Sequence, residues 1–153
     1  MKHQPFTHLL KSKIMNKEKI TVETKVKTTI SKVWELWTNV VHITKWNHAS
    51  PDWHTPKAEN DLKVGGKFSY RMEAKDGSFG FDFWGIYDDV KMNQYIEYTM
   101  GDSRKAWITF TACGDETKII ETFEAETENS LELQKMGWQA ILDNFKNYTE
   151  SFL

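Results

Sequence analysis

His42, His48 and His54 stand six residues apart, and Asp52 lies beside the last, a set of side chains whose chemistry suits a metal ion. The spacing argues against it. Two ligands on one helix face need separations of about three or four residues, and Pro51 interrupts any helix between His48 and His54. No metal ligand is assigned. A Cys-His nucleophilic pair has as little support, because Cys113 ends a strand pattern before Gly114-Asp115, where a small buried residue is ordinary. Asp82 and Glu121 fall in the middle of strand patterns, where a charge turned inward is costly unless paired and a perturbed carboxyl can serve as an acid or base. Arg71 and Lys118 are the cations within reach. Asp82 alternates with Phe81 and Phe83, so it is expected to face solvent. No catalytic residue is assigned.

Trp46-Asn47-His48-Ala49-Ser50-Pro51-Asp52-Trp53-His54 is the densest mixture of rings and hydrogen-bonding groups outside the strand patterns. It reads as a loop, where functional groups concentrate. Gly65-Gly66 lacks the spacing and the following helix of a phosphate loop, and no dinucleotide fingerprint or serine-hydrolase elbow is present. No cofactor is expected.

These residues need a frame, and 153 residues suit one domain with a substantial core. One cysteine, Cys113, excludes an intramolecular disulfide. With no secretory segment near Met1 and no apolar run long enough to span a bilayer, the expected location is a reducing cytoplasm. The net charge is −2, but eight Lys stand against two Glu in residues 1–32, and six acids against Lys118 in residues 114–130. The N-terminal lysines alternate with Thr, Val and Glu, which describes a solvated strand face and not a nucleic-acid site.

Residues 1–17 show no period and read as a loosely attached extension, and Met15 is an alternative start. In residues 19–28, Ile20, Val22, Thr24 and Val26 alternate with Lys19, Glu23, Lys25 and Lys27, the pattern of a half-buried strand. Thr28 or Thr29 then caps a helix carrying Ile30, Val33, Trp34 and Trp37, and Asn39 to Asn47 offers one more short helix. A loop containing Pro51 and Pro56 follows.

From Gly65 the pattern is strand after strand. Phe68, Tyr70 and Met72 share one face of the first, Asp76-Gly77 makes a hairpin, and Phe79, Phe81 and Phe83 share one face of the next. Gly80 or Gly85 marks a bulge or bend. Turns at Lys91 to Asn93, Gly101-Asp102 and Gly114-Asp115 separate three further strands. Ser130 caps a long closing helix ending near Ser151, with Leu131, Trp138, Ile141, Leu142, Phe145, Tyr148 and Phe152 as its apolar stripe. Gly137 inside it suggests a need for room or a close approach.

The order is one strand, two short helices, five antiparallel strands and a long helix. The fold class is α+β: a curved six-stranded antiparallel sheet wrapped around the C-terminal helix. Seven Trp, nine Phe and five Tyr are more rings than one solid core of this size ordinarily holds, which points to a concave, aromatic-lined interior.

Four stretches in this order resemble a known family. Val33-Trp34-Glu35-Leu36-Trp37-Thr38 is similar to its first helix, Asp61-Leu62-Lys63-Val64-Gly65-Gly66-Lys67-Phe68 to its glycine turn, Trp84-Gly85-Ile86-Tyr87 to its third strand, and Gly137-Trp138-Gln139-Ala140-Ile141-Leu142 to its closing helix. The family is the activator of Hsp90 ATPase homologue 1-like branch of the START and Bet v 1-like helix-grip superfamily. The resemblance covers about residues 18–150 and implies a deep cavity between sheet and helix. Members of the superfamily bind lipids, hormones and polyketides, act as cyclases, or contact a chaperone, so the resemblance leaves the ligand open.

Within residues 18–153, a single domain, the expected ligand-binding set follows from alternation and from the loop. Phe68, Tyr70, Phe79, Phe81, Phe83, Tyr98, Phe110 and Phe123 come from the strands, Trp138, Leu142 and Phe145 from the helix, and Trp46, His48 and Trp53 from the rim. For any one ring, core packing and cavity lining are both open. The expected function is binding of a hydrophobic or amphipathic small molecule, lipid-like or aromatic. A protein-binding module of the Hsp90 co-chaperone type and a cyclase- or hydrolase-like enzyme on aromatic substrates are the alternatives. Trp84, opposite in parity to Phe83, is expected on the outer face, where a large ring hints at a partner surface.

Overall fold

The computed structural model describes residues 17–153. Of the expected N-terminal extension, residues 1–16, with Met15, lie outside the described residues. Lys17 is tied to the domain, its Nζ lying 3.8 Å from Glu124 Oε1.

Strand β1 (Lys19–Val26) buries Ile20, Val22 and Val26 on one side and turns its lysines outward, as the alternation requires. Helix α1 (Ile30–Thr38) starts where the Thr29 hydroxyl accepts from Lys32 N, and it buries Val33, Trp34, Leu36 and Trp37. Asn39 ends α1 and begins α2 (Val40–Trp46), its side chain accepting from Val41 N. The Trp46 indole then donates to Leu36 O at 2.9 Å, which locks the two helices together.

The first departure from the sequence reading follows α2. Trp53–Asn60, expected as loop, is strand β2, so among the described residues the sheet has seven strands and not six. Pro56 hid it, since a proline cannot donate to a ladder. Here β2 is an edge strand, and the register slips between His54 and Lys57, around Pro56. Thr55, buried beside it, donates to Asn47 O and accepts from Asn47 Nδ2.

The meander continues through β3 (Lys67–Ala74), β4 (Gly80–Lys91), β5 (Tyr95–Met100), β6 (Lys105–Cys113) and β7 (Glu116–Glu124). All pairs are antiparallel and the spatial order is β1-β7-β6-β5-β4-β3-β2, a curled half-barrel. Gly77 (φ 78°) and Gly114 (φ 64°) occupy hairpin turns that need the left-handed region. The bulge in β4 lies between Tyr87 and Asp89, not at Gly80 or Gly85. Gly85 serves close approach instead: a Cβ there would sit 2.7 Å from the Phe68 ring and 2.7 Å from Thr99 O.

Helix α3 (Leu131–Glu150) begins at Ser130, whose hydroxyl accepts from Leu133 N. It is latched to the β1 edge: Gln139 donates to Glu23 O, Lys146 donates to Lys25 O, and Glu150 accepts from Lys27 N. Its apolar stripe is narrower than expected. Leu142 and Phe145 are buried, whereas Leu131 and Phe152 are exposed, and Gln134 takes a buried place by bonding Glu126 and Asn129. Gly137 makes no close approach, for a Cβ there meets nothing within 4 Å. Cys113 is exposed, not a small buried residue. Among the described residues, no helix is long and apolar enough to cross a membrane.

Candidate functional site

The inner face of the half-barrel and the facing side of α3 enclose a cavity of about 270 Å³. Its wall is mostly apolar. Phe68, Tyr70 and Met72 come from β3; Phe81, Phe83 and Tyr87 from β4; Ile96 and Tyr98 from β5; Ile108 from β6. Trp138, Ile141 and Leu142 close it from α3, and Trp37, Trp46 and Asn47 from the helical pair and the residue after it. Arg104, in the turn before β6, and Glu121 of β7 complete it. Phe81 is 39 % exposed, while Ile96, Ile108 and Glu121 are buried, so the cavity runs from a wet end at β4 to a dry floor.

Gly85 leaves room for the Phe68 ring, which touches four neighbours: Tyr70, Phe83, Tyr87 and Tyr98, with centroids between 4.8 and 5.7 Å away. The Tyr87 hydroxyl donates to Asn60 Oδ1 at 2.5 Å, which fixes its ring. Burial pushes the hydroxyls of Tyr70 and Tyr98 well above the usual phenolic range. They stay neutral donors at any physiological pH.

Of the strand residues expected in the site, Phe68, Tyr70, Phe81, Phe83 and Tyr98 line the cavity, as do Trp46, Trp138 and Leu142. The others sit elsewhere for packing reasons. Phe110 wedges edge-on against Trp34 and Trp37, behind the cavity. Phe145 packs edge-on against Trp37 and Trp46. Phe123 is fully buried, flat against Trp138, and supports that ring from below. Phe79 is 62 % exposed and forms an outer cluster with Trp53 and Phe81, ring centroids 6.1 Å apart. Trp53 therefore stands beside the wet end without lining the cavity.

His48 is also outside the wall. Its Nε2 lies 3.0 Å from Asn144 Nδ2, which also donates to Trp46 O. Nε2 must therefore accept, which leaves the proton on Nδ1, buried and without a partner among the described residues. Burial, with Lys75 and His54 adding repulsion, lowers the His48 pKa. His42 instead bonds the Tyr148 hydroxyl at 2.6 Å, and His54 lies 3.8 Å from Glu73. The three histidines thus point to three different partners, and among the described residues no group of three His, Cys, Asp or Glu converges.

Glu121, singled out from the sequence as a mid-strand carboxyl but not assigned to the site, is turned inward. It shares parity with Ile119 and Phe123, and the alternating burial of β7 turns all three inward. Glu121 is 8 % exposed, and burial alone pushes its carboxyl up to about 8. Lys118 pairs with Glu23, and Arg71 with Glu73 and Asp82 on the outer face, so neither reaches it. Tyr87 was not assigned to the site either, and it continues the parity of Phe81 and Phe83 up to the bulge.

Trp84 is on the outer face as expected. It covers Gly101, where a Cβ would lie 2.5 Å from the ring, and Lys67 Nζ sits 4.7 Å from its centroid. Packing and a cation thus occupy much of that ring.

Comparison with solved structures places the architecture in a populated group. The AHSA1-like protein of Aeromonas hydrophila, solved in solution, is 42 % identical over 88 % of this chain and 94 % of its own, with a TM-score of 0.83. The Chr148 protein of Cytophaga hutchinsonii is 57 % identical, covering 88 % of this chain and 93 % of its own, with a TM-score of 0.77. A Nitrosomonas europaea protein shares the fold at 17 % identity, covering 88 % and 95 %, with a TM-score of 0.75. The search of curated proteins finds no match. The family model described as "Activator of Hsp90 ATPase homolog 1-like protein" matches residues 27–150, more than half of the chain. With the helix-grip architecture and the two similar structures, this match establishes that the chain belongs to the activator of Hsp90 ATPase homologue 1-like family.

Proposed function

We propose that the protein binds a small hydrophobic or amphipathic molecule in the cavity between the sheet and α3. One observation carries the reading: a space of about 270 Å³ is held open inside the fold by rings that are themselves well packed. A mostly apolar wall open to water at one end leaves apolar surface wet, and a bound apolar body removes that surface from water at about 25 cal/mol per Å². A cavity of about 150 Å³ already takes benzene, so this one suits a molecule of about two fused rings. Phe68, Phe83, Trp138 and Leu142 supply the apolar surface, and the neutral hydroxyls of Tyr70 and Tyr98 supply donors.

The test is a titration of intrinsic tryptophan fluorescence with 2-naphthylmethanol, since Trp138 and Trp46 form part of the wall. Saturable binding is expected, and Ile141→Trp, which fills the cavity from the helix, should weaken it by about tenfold or more. Failure of the wild-type protein to bind any apolar probe overturns the reading. A protein-binding role toward an Hsp90-type chaperone follows from the family's description alone. A pulldown that retains Hsp90, together with no probe uptake, would put that reading first.

A further inference from the structure

We propose that Glu121 is the recognition group for a cationic head, so that the ligand is a small amphipathic amine with its ammonium at Glu121 and its apolar body against the rings. This inference rests on the ligand-cavity reading above and narrows the ligand's class.

The argument begins with what surrounds the carboxyl. On the inner face of the sheet Glu121 lies between Val22 of β1 and Ile108 of β6, its register partners, and its neighbours along β7 on that face are Ile119 and Phe123. From α3 the cavity wall receives Trp138, Ile141 and Leu142. All of these are apolar. Among the described residues no side chain or backbone donor bonds the Glu121 carboxyl, and only burial acts on its ionisation. A residue more than nine-tenths buried that turns its carboxyl into a cavity, with no partner among the described residues, is a defect for folding alone. A hydrophobic residue of similar volume would fit better.

The cations among the described residues do not answer it. Arg104 borders the cavity, but its guanidinium is engaged by Asp102 Oδ2 at 2.7 Å and by Glu124 O at 3.0 Å. A head group that accepts hydrogen bonds is already provided for by the hydroxyls of Tyr70 and Tyr98. Among the described residues Glu121 is the one acidic side chain in the wall, and an ammonium, which only donates, is the head group it lacks. The rings favour the same choice, because Tyr70, Phe83, Tyr98 and Trp138 line the same small space and a desolvated cation gains from aromatic faces.

Ionisation adds a signature. Near neutral pH the isolated carboxyl is largely protonated, so taking up an ammonium releases a proton, and affinity rises with pH until Glu121 is ionised. No other wall group interferes over that range. Tyr70 of β3, Tyr87 of β4 and Tyr98 of β5 are all pushed up by burial and remain neutral, and β1, β6 and α3 present only apolar side chains around Glu121.

Three probes of one shape decide the matter: 2-naphthylmethylammonium, 2-naphthylmethanol and 2-naphthoate, titrated into the wild-type protein and Glu121→Gln by calorimetry. In the wild type, the ammonium is expected to bind about tenfold or more tighter than the alcohol near pH 8, with the ratio shrinking toward about pH 6. Glu121→Gln should bring that ratio to about one. Equal affinities in the wild type, a preference that survives Glu121→Gln, or tightest binding of the naphthoate would each overturn the proposal while leaving the cavity reading intact. If none of the three binds, the cavity reading itself fails.

Discussion

Trp138 of α3 lies flat on Phe123 of β7, with ring centroids 3.8 Å apart and planes 9° from parallel. The pair is the point where the helix holds the sheet. Phe123 is fully buried and carries the stack, while the other face of Trp138 belongs to the cavity, with Phe83 edge-on at 6.1 Å. Phe123→Ala should cost about 3–5 kcal/mol of stability in urea denaturation. A double-mutant cycle with Trp138→Ala should return a coupling of about 1 kcal/mol, and a coupling near zero would show that the stack contributes only through burial.

The two glycines at the edges of the site should respond in opposite directions. Gly137 sits in α3 with open space where a Cβ would go, so Gly137→Ala should stabilise the protein by about 0.5–1 kcal/mol. Gly85→Ala places a methyl against the Phe68 ring and Thr99 O, and it should destabilise by about 1–3 kcal/mol. Midpoints of chemical denaturation check both.

Glu121 makes stability depend on pH in a direction opposite to that of a salt-bridged acid. Its folded pKa, about 8, exceeds its ordinary value of 4.5, so between those values the folded state holds a proton that the unfolded state has lost. The contribution of Glu121 to stability therefore falls as pH rises through that window, by up to about 1.4 kcal/mol per unit, and is flat below and above it. Glu121→Gln has no such slope. The variant's stability relative to wild type should rise by a few kcal/mol between about pH 4.5 and 8, read from paired urea curves. A difference that stays constant across the range contradicts the burial of this carboxyl.

Thr149 Oγ1 is buried on α3 without a hydrogen-bond partner among the described residues, and the residue is 1 % exposed. Thr149→Val keeps the shape and removes the unsatisfied hydroxyl. The expected gain is about 1 kcal/mol, seen as a higher thermal midpoint, and a loss of similar size would mean that the hydroxyl is satisfied in solution.

His42 Nδ1 and the Tyr148 hydroxyl, 2.6 Å apart, join α2 to α3 beside the Trp37, Trp46 and Phe145 cluster. Tyr148→Phe should cost about 1 kcal/mol, and His42→Ala combined with it should add less than the sum of the two single losses.

What the chain determines by itself is its local pattern and its order. Alternation in β1 and β7, the caps at Thr29 and Ser130, and the hairpin glycines Gly77 and Gly114 are properties of short stretches, so the meander and the closing helix are legible without coordinates. Parity in β3 and β4 likewise placed Phe68, Tyr70, Phe81 and Phe83 on the inner face, and reading it through β7 would have placed Glu121 there too. Tertiary structure decided what no local pattern contains. Pro56 is tolerated because β2 is an edge strand, which depends on where the sheet ends. Phe110, Phe123 and Phe145 have the inward parity of cavity residues, yet α1, α2 and α3 cover them, while Phe81 stays open. Whether an inward ring packs or lines a space depends on which elements approach it across the fold. That same long-range geometry leaves Glu121 in the cavity wall without a partner among the described residues.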